Sequence, residues 1–223
     1  MVLLESVSKI YRTRQGQVKA LDRVSLQVHQ SEFLVVRGRS GSGKTTLLLT
    51  IGGMLRPTNG RVTVGGSDIS SMSERDRAKF RAENIGFVFQ MFHLVPYLST
   101  MENILLATQS RGSADAKGRA SELLQRLNLL DRAQHRPSQL SAGERQRTAI
   151  ARALLNSPNI ILADEPTGNL DPETAHEVIG YLSEFHKAGG TVIVVTHGEI
   201  ADKHADRIIY LQSGAIQESL TDQ

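Results

Sequence analysis

Apolar and polar positions alternate over residues 24–28 and again over 61–64, and a period of two predicts strands with one buried face. Four other segments, 33–36, 85–89, 160–163 and 191–195, are almost continuously apolar and of strand length. Runs of that kind suit strands covered on both faces, as in a mainly parallel sheet flanked by helices. From about residue 100 to 155 the period lengthens to that of a helix, clearest over 121–127, with Gly112-Ser113 and Pro137-Ser138 as punctuation. The pattern predicts a single domain in two parts: an α/β core formed by 1–90 and 156–223, and a helical insert over 91–155. The charged stretch 74–83 predicts a solvated helix face and carries no assigned function. There is no internal repeat and no low-complexity linker.

Composition changes this picture little. The 223 residues are enough to bury a full core, and 39% hydrophobic with 22% charged residues is ordinary for a globular protein. The formal charge of +3, from 26 basic and 23 acidic residues, is too small to predict a nucleic-acid partner. With no cysteine, disulfides and thiolate metal sites are excluded. No apolar run approaches the roughly 20 residues of a spanning helix. The first five residues lack the pattern of a secretory leader. The expectation is a cytoplasmic chain whose membrane role, if any, runs through a separate chain.

The chemistry starts at Gly38-Arg39-Ser40-Gly41-Ser42-Gly43-Lys44-Thr45, a full P-loop between the apolar run 33–36 and a helix predicted over 46–51. Glycines let backbone N–H groups turn inward, and the helix N-terminus adds positive potential where phosphates lie. In that frame Lys44 reaches the β- and γ-phosphates of ATP, Thr45 ligates Mg²⁺, and Thr46 completes the phosphate contacts. A second element is Asp164-Glu165, closing the apolar run 160–163. Alone, such a pair reads more readily as the first acids of a helix. Beside a P-loop it reads as Asp164 holding Mg²⁺ through water and Glu165 facing the γ-phosphate and its attacking water.

Leu140-Ser141-Ala142-Gly143-Glu144-Arg145-Gln146-Arg147 separates this chain from other P-loop proteins. Ser141 and Glu144 have capping-box spacing at a helix start, and a helix N-terminus with serine and glycine beside it suits an anion. By itself the segment reads more readily as a well-capped structural helix. It resembles the signature motif of ABC ATPases, usually written LSGGQ. The resemblance covers nearly the whole chain, with the family's elements in order. It implies a P-loop (RecA-like) α/β core with an N-terminal antiparallel β subdomain and an inserted helical subdomain. Gln90 looks like the Q-loop glutamine, which touches Mg²⁺. Asp171, in Gly168-Asn169-Leu170-Asp171, looks like the D-loop aspartate. His197 looks like the switch histidine at the γ-phosphate, and Tyr11 like the aromatic that stacks on adenine.

The resemblance also implies a mechanism and partners. Two copies bind head to tail on ATP as a homodimer, so that Ser141, Ala142, Gly143 and Glu144 of one face the nucleotide of the other. Glu165 acts on water with help from Gln90 and His197, and Lys44 offsets phosphoryl charge. Residues 141–147, 162–171 and 90–96 look most like the lipoprotein-releasing and macrolide-exporter branch. Its members pair with an integral membrane permease at the inner face of the cell membrane. A cell-division-type regulatory ATPase and a non-transport ABC ATPase are the alternatives. Phe92, Leu94, Val95 and Tyr97 could form a groove for a permease helix, or simply pack the insert. Three departures stand out: Ala142 replaces the first signature glycine, Glu144 the usual glutamine, and Gly198 follows the switch histidine where an acid is common.

Overall fold

A computed structural model of the chain describes residues 1–14, 16–110 and 115–217. The order is β1 (Val2–Thr13), β2 (Gly16–Val28), β3 (Phe33–Arg37), α1 (Lys44–Ile51), β4 (Asn59–Val64) and β5 (Ser67–Asp68). Next come α2 (Glu74–Asn84), β6 (Ile85–Phe89), α3 (Thr100–Leu105), α4 (Ala116–Arg126) and α5 (Ala142–Leu154). The chain closes with β7 (Ile160–Asp164), α6 (Pro172–Lys187), β8 (Thr191–Thr196), β9 (Arg207–Gln212) and β10 (Ala215–Gln217). The expected break at Gly112-Ser113 lies outside the described residues.

Two sheets form. β2-β1-β4-β5 is antiparallel, and β10-β9-β3-β8-β7-β6 is parallel except for its β10 edge. Within the larger sheet Phe33 lies opposite Val192, and Ile160 opposite both Ile85 and Thr191. The unbroken apolar runs now have a cause. Leu34 and Val36 of β3 enter a first core with Leu162, Ile193, α1 and the inner face of the antiparallel sheet. Phe33 and Val35 enter a second core with Ile161, Val194 and the helices α3 to α6. A strand buried on both sides has no solvent face to mark with polar residues.

The half-buried strands show the contrasting pattern: Val2, Leu4, Val62 and Val64 face the first core, while Leu3 and Arg61 do not. α2 is capped by Ser73, whose side chain accepts the Asp76 N–H. Apart from Arg77 it is exposed over residues 74–79, but from Phe80 onward it is half-buried, with Phe80 packed against the first core, so the predicted solvated face holds only for its first half. Arg77 is the one buried residue of the helix, at 8% exposure with a bond from Nη1 to the Met72 carbonyl. α5 lies so close to β6 that a side chain on Gly86 would begin 2.7 Å from the Ala153 carbonyl oxygen.

That contact predicts a paired result. Gly86→Ala pushes against backbone and should destabilise the chain by about 1–3 kcal/mol. Gly180→Ala, in α6 with nothing within 4 Å of the new methyl, should be neutral or stabilising by up to about 1 kcal/mol. Thermal melts of both variants check the contrast.

Candidate functional site: a phosphate cleft at the strand ends

β3 ends at Arg37 and α1 begins at Lys44, so the six residues between them must turn the chain through a tight loop. Gly41 and Gly43 do this with φ of +77° and +104°. Gly43 is further constrained, because a Cβ there would stand 2.2 Å from the Ala20 carbonyl oxygen. Lys44, only 7% exposed, folds back over the loop. Its Nζ donates to the carbonyls of Gly38 at 2.6 Å and Arg39 at 3.2 Å and lies 3.5 Å from Glu165 Oε1. The result is a ring of backbone around a buried ammonium at a helix N-terminus, a setting that attracts phosphate.

Asp164 is the last residue of the wholly buried strand β7, and its Oδ1 accepts a bond from the Thr45 hydroxyl at 3.2 Å. Burial pushes the Asp164 carboxyl above the ordinary range, and the Glu165 charge pushes the same way; the Thr45 bond and Lys44 pull it down. Thr45 and Asp164 together are hard oxygen donors that fit Mg²⁺. Among the described residues no three His, Cys, Asp or Glu side chains gather into a cage. The donors therefore suit a cation whose shell is completed by a ligand's own oxygens.

Glu165 turns back into the site by taking a left-handed φ of +45°, its N–H bonded to the Val195 carbonyl at 2.9 Å. Its carboxylate faces two ways. Oε1 is the neighbour of Lys44, while Oε2 accepts the His197 backbone N–H at 3.3 Å and lies 2.9 Å from His197 Nδ1. The Glu165 side chain is 15% exposed and that of His197 is 70% exposed, so the histidine forms the outer rim.

A cleft of about 730 Å³ opens here. Its wall brings together Arg39, Ser40, Gly41, Ser42, Gly43, Lys44, Thr45, Thr46, Gln90, Glu165 and His197, all chosen from the sequence. Gly38 and Asp164 sit behind that wall through their bonds to Lys44 and Thr45. Tyr11 is not on it. It pairs across the hairpin with Val18, is 38% exposed and has the Lys9 ammonium 5.4 Å from its ring centre. Val18, Lys19, Ala20 and Ser213, which sequence reasoning missed, line that side instead. Val18 had a signal, being an apolar residue between glutamine and lysine and 53% exposed; Ser213, in a turn, had none.

Ser141, Ala142, Gly143, Glu144 and Asp171 also lie off this wall. Ser141 caps α5 in a full capping box: its hydroxyl accepts the Glu144 N–H at 3.1 Å, and Glu144 Oε2 accepts the Ser141 N–H at 2.7 Å. Donation from Ser141, and then from Arg132 at 2.8 Å, holds the Glu144 carboxyl below its ordinary range against the cost of desolvation. Asp171 caps α6, accepting from the Thr174 N–H and hydroxyl at 3.0 and 2.7 Å, which lowers its carboxyl in the same way. Gly143 is needed where it is, since a Cβ would meet Thr174 Cγ2 at 2.6 Å. Gln146, fully buried and given no role of its own from the sequence, donates from Nε2 to the Pro166 carbonyl at 2.8 Å.

Known proteins resemble this chain over nearly its whole length. The family described as "ABC transporter" matches residues 21–168. The macrolide export ATP-binding/permease protein MacB of Chlorobaculum tepidum is 42% identical over 97% of the chain, which spans only 33% of that relative's length. An uncharacterized ABC transporter ATP-binding protein of Thermotoga maritima is 45% identical over 96% of the chain and 92% of its own. Among solved structures, a dimeric post-hydrolysis state of the ATP-binding cassette MJ0796 bound to ADP and Pi has a TM-score of 0.90. It is 39% identical, covering 98% of this chain and 97% of that one.

The environment of Asp164 gives a pH test. Its carboxyl is raised in the folded chain, so above that raised value the folded state bears the full penalty of a buried charge, and the penalty fades as pH falls toward the ordinary carboxylate range. Asp164→Asn keeps an oxygen to accept from Thr45 and should therefore melt higher than wild type at pH 7 without nucleotide. The gap should shrink as pH approaches about 4. Melting curves across pH check it; a lower melting point at pH 7 contradicts the burial argument.

Proposed function

This chain belongs to the ABC transporter family, and from that premise we propose that it binds and hydrolyses ATP to drive a separate membrane permease. One observation carries the reading. At the ends of β3, β7 and β8, the Lys44 ammonium, the Thr45–Asp164 pair and the Glu165–His197 pair converge on a single cleft.

The chemical roles follow from those positions. The P-loop N–H groups and Lys44 bind the β- and γ-phosphates, and Lys44 offsets negative charge on the transferred phosphoryl group. Thr45, Asp164 through water, and Gln90 would hold Mg²⁺, which when bound supplies further neutralisation of phosphate oxygen charge. Glu165 accepts the proton of the attacking water, and the products are ADP and phosphate. His197 keeps the Glu165 carboxylate turned toward the cleft through Oε2, leaving Oε1 beside Lys44. Val18 on the cleft wall, with Tyr11 paired to it across the hairpin, supplies apolar surface for the base. Asp171 holds the start of α6 beside the signature segment.

The active form in this reading is a homodimer on ATP, with Ser141, Ala142, Gly143 and Glu144 of each copy at the other's nucleotide. Two features support it. Ser141 is exposed at the N-terminus of a 13-residue helix yet lies off its own chain's cleft, and the related cassette MJ0796 is described as dimeric. A permease partner is supported by the fused ATP-binding/permease naming of MacB and by the segment after Gln90, where Met91 and Tyr97 are 70% and 72% exposed. Among the described residues no helix is long and apolar enough to cross a membrane. The helical portion 91–155 then carries the permease contact, and 1–90 with 156–223 the nucleotide. The chain works at the cytoplasmic face of the membrane, and the cargo class is a lipoprotein, lipid, peptide or drug-like molecule to be released or exported.

Glu165→Gln tests the chemical step. The variant should bind ATP normally, hydrolyse it at least about 10²-fold more slowly, and elute as an ATP-stabilised dimer in Mg-ATP. Steady-state phosphate release and size-exclusion chromatography measure both effects. Turnover near that of wild type removes Glu165 from the proton transfer.

A further inference from the structure

The segment that carries His197 starts where β8 ends at Thr196 and runs through Gly198 and Glu199 into the 3-10 turn Ile200–His204. Gly198 has no side chain with which to hold this loop. Its N–H donates locally to Thr196 Oγ1 at 3.0 Å, which closes a turn but ties it to nothing else. The loop is nonetheless fastened at both ends, and by the same residue. Arg37, the last residue of β3, lies in register with Thr196 at the start of the loop. Its guanidinium then reaches the far end, donating from Nη2 to Asp202 Oδ2 at 2.5 Å and from Nε to Asp202 Oδ1 at 3.2 Å. A longer contact of 3.5 Å joins Nη1 to Glu199 Oε1.

The two contacts differ in weight. Arg37 and Asp202 side chains are 15% and 27% exposed and meet as a two-bond fork, the geometry that fixes orientation as well as distance. Glu199 is 85% exposed, and a single long contact there holds little. Arg37 is also the residue before Gly38, whose carbonyl accepts from Lys44. The fork therefore spans from the root of the P-loop to the base of the histidine loop.

We propose that Arg37, through Asp202, is a positioning residue for hydrolysis: it sets the His197 loop against the Lys44–Glu165 pair and supplies the support that Gly198 does not. The inference rests on the reading of His197 as the residue that orients Glu165. Arg37 and Asp202 are absent from the cleft wall, so their effect should fall on turnover and not on nucleotide binding.

The test uses the full chain with Mg-ATP. Arg37→Lys keeps a charge but cannot make the fork. Asp202→Asn keeps the size and loses the ion. Each should lower kcat by about tenfold, the scale expected when a reacting group is misplaced by a fraction of an ångström, with KM for ATP within about twofold. The double variant should be no slower than the slower single, because both remove one interaction. Hydrogen exchange over residues 196–202, measured without nucleotide, should quicken in each. A lower melting point with unchanged kcat per folded molecule, or unchanged exchange at that loop, overturns the proposal. His197→Ala is run alongside: wild-type turnover there overturns the reading of the site, and the proposal falls with it. Should Arg37→Lys fail to fold, Asp202→Asn decides alone.

Discussion

An ammonium group buried at the root of a helix is the constraint on which the rest of the cleft depends. Lys44 sits 7% exposed, and removing an isolated charge from water costs several kcal/mol. The compensation is local: two backbone carbonyls from the loop it closes, and the Glu165 carboxylate 3.5 Å away. Two adjacent acids at 164 and 165 would otherwise repel each other at the end of a buried strand. Lys44 eases that repulsion on one side and the Thr45 hydroxyl on the other. The loop can present its carbonyls and N–H groups in this way only because Gly41 and Gly43 take left-handed φ values and Gly43 leaves room for the Ala20 carbonyl.

The second organising device is a pair of capped helix starts that share one scaffold. Ser141 begins α5 and Asp171 begins α6, and the two helices meet through Gly143 against Thr174 and through an Arg147–Glu177 ion pair at 3.1 Å. Gln146 adds a buried bond from α5 to Pro166, the residue after Glu165. Removing that donor strands a carbonyl away from water, a loss that costs more than the bond itself gains. The signature segment and the turn carrying Glu165 are thus built on the same few contacts. Ala142, which departs from the family pattern, lies half-buried in the first turn of α5 without disturbing its capping box.

Much of the fold was legible in the sequence because its signals are local. The doubly buried strands β3, β7 and β8 announce themselves as apolar runs, since alternate residues enter different cores and neither face needs polar groups. The cleft residues of the P-loop and of 164–165 were legible because glycine spacing and a strand end dictate their positions. What escaped depends on strand register and on long-range pairing. The partner of Tyr11 across the hairpin, Val18, follows from register, and irregularities at Leu4/Val7, Val7/Lys9 and Lys9/Ile10 shift that register along β1. Arg37 and Asp202 are 165 residues apart and became partners only when β3 and β8 were laid side by side. The Ser141–Glu144 box was readable from its spacing, whereas the Arg132 that completes the Glu144 contacts was not.

The central claim is that one cleft needs the P-loop of one copy and the signature segment of another. The most direct measurement mixes two inactive chains, Lys44→Ala and Ser141→Arg, and follows ATP turnover. In a heterodimer both lesions fall on one composite site and the other is intact, so the mixture should recover part of the wild-type activity while each chain alone stays silent. The account is contradicted if the Ser141→Arg chain alone hydrolyses ATP at the wild-type rate. It is equally contradicted if demonstrated heterodimers are no more active than the two chains kept apart.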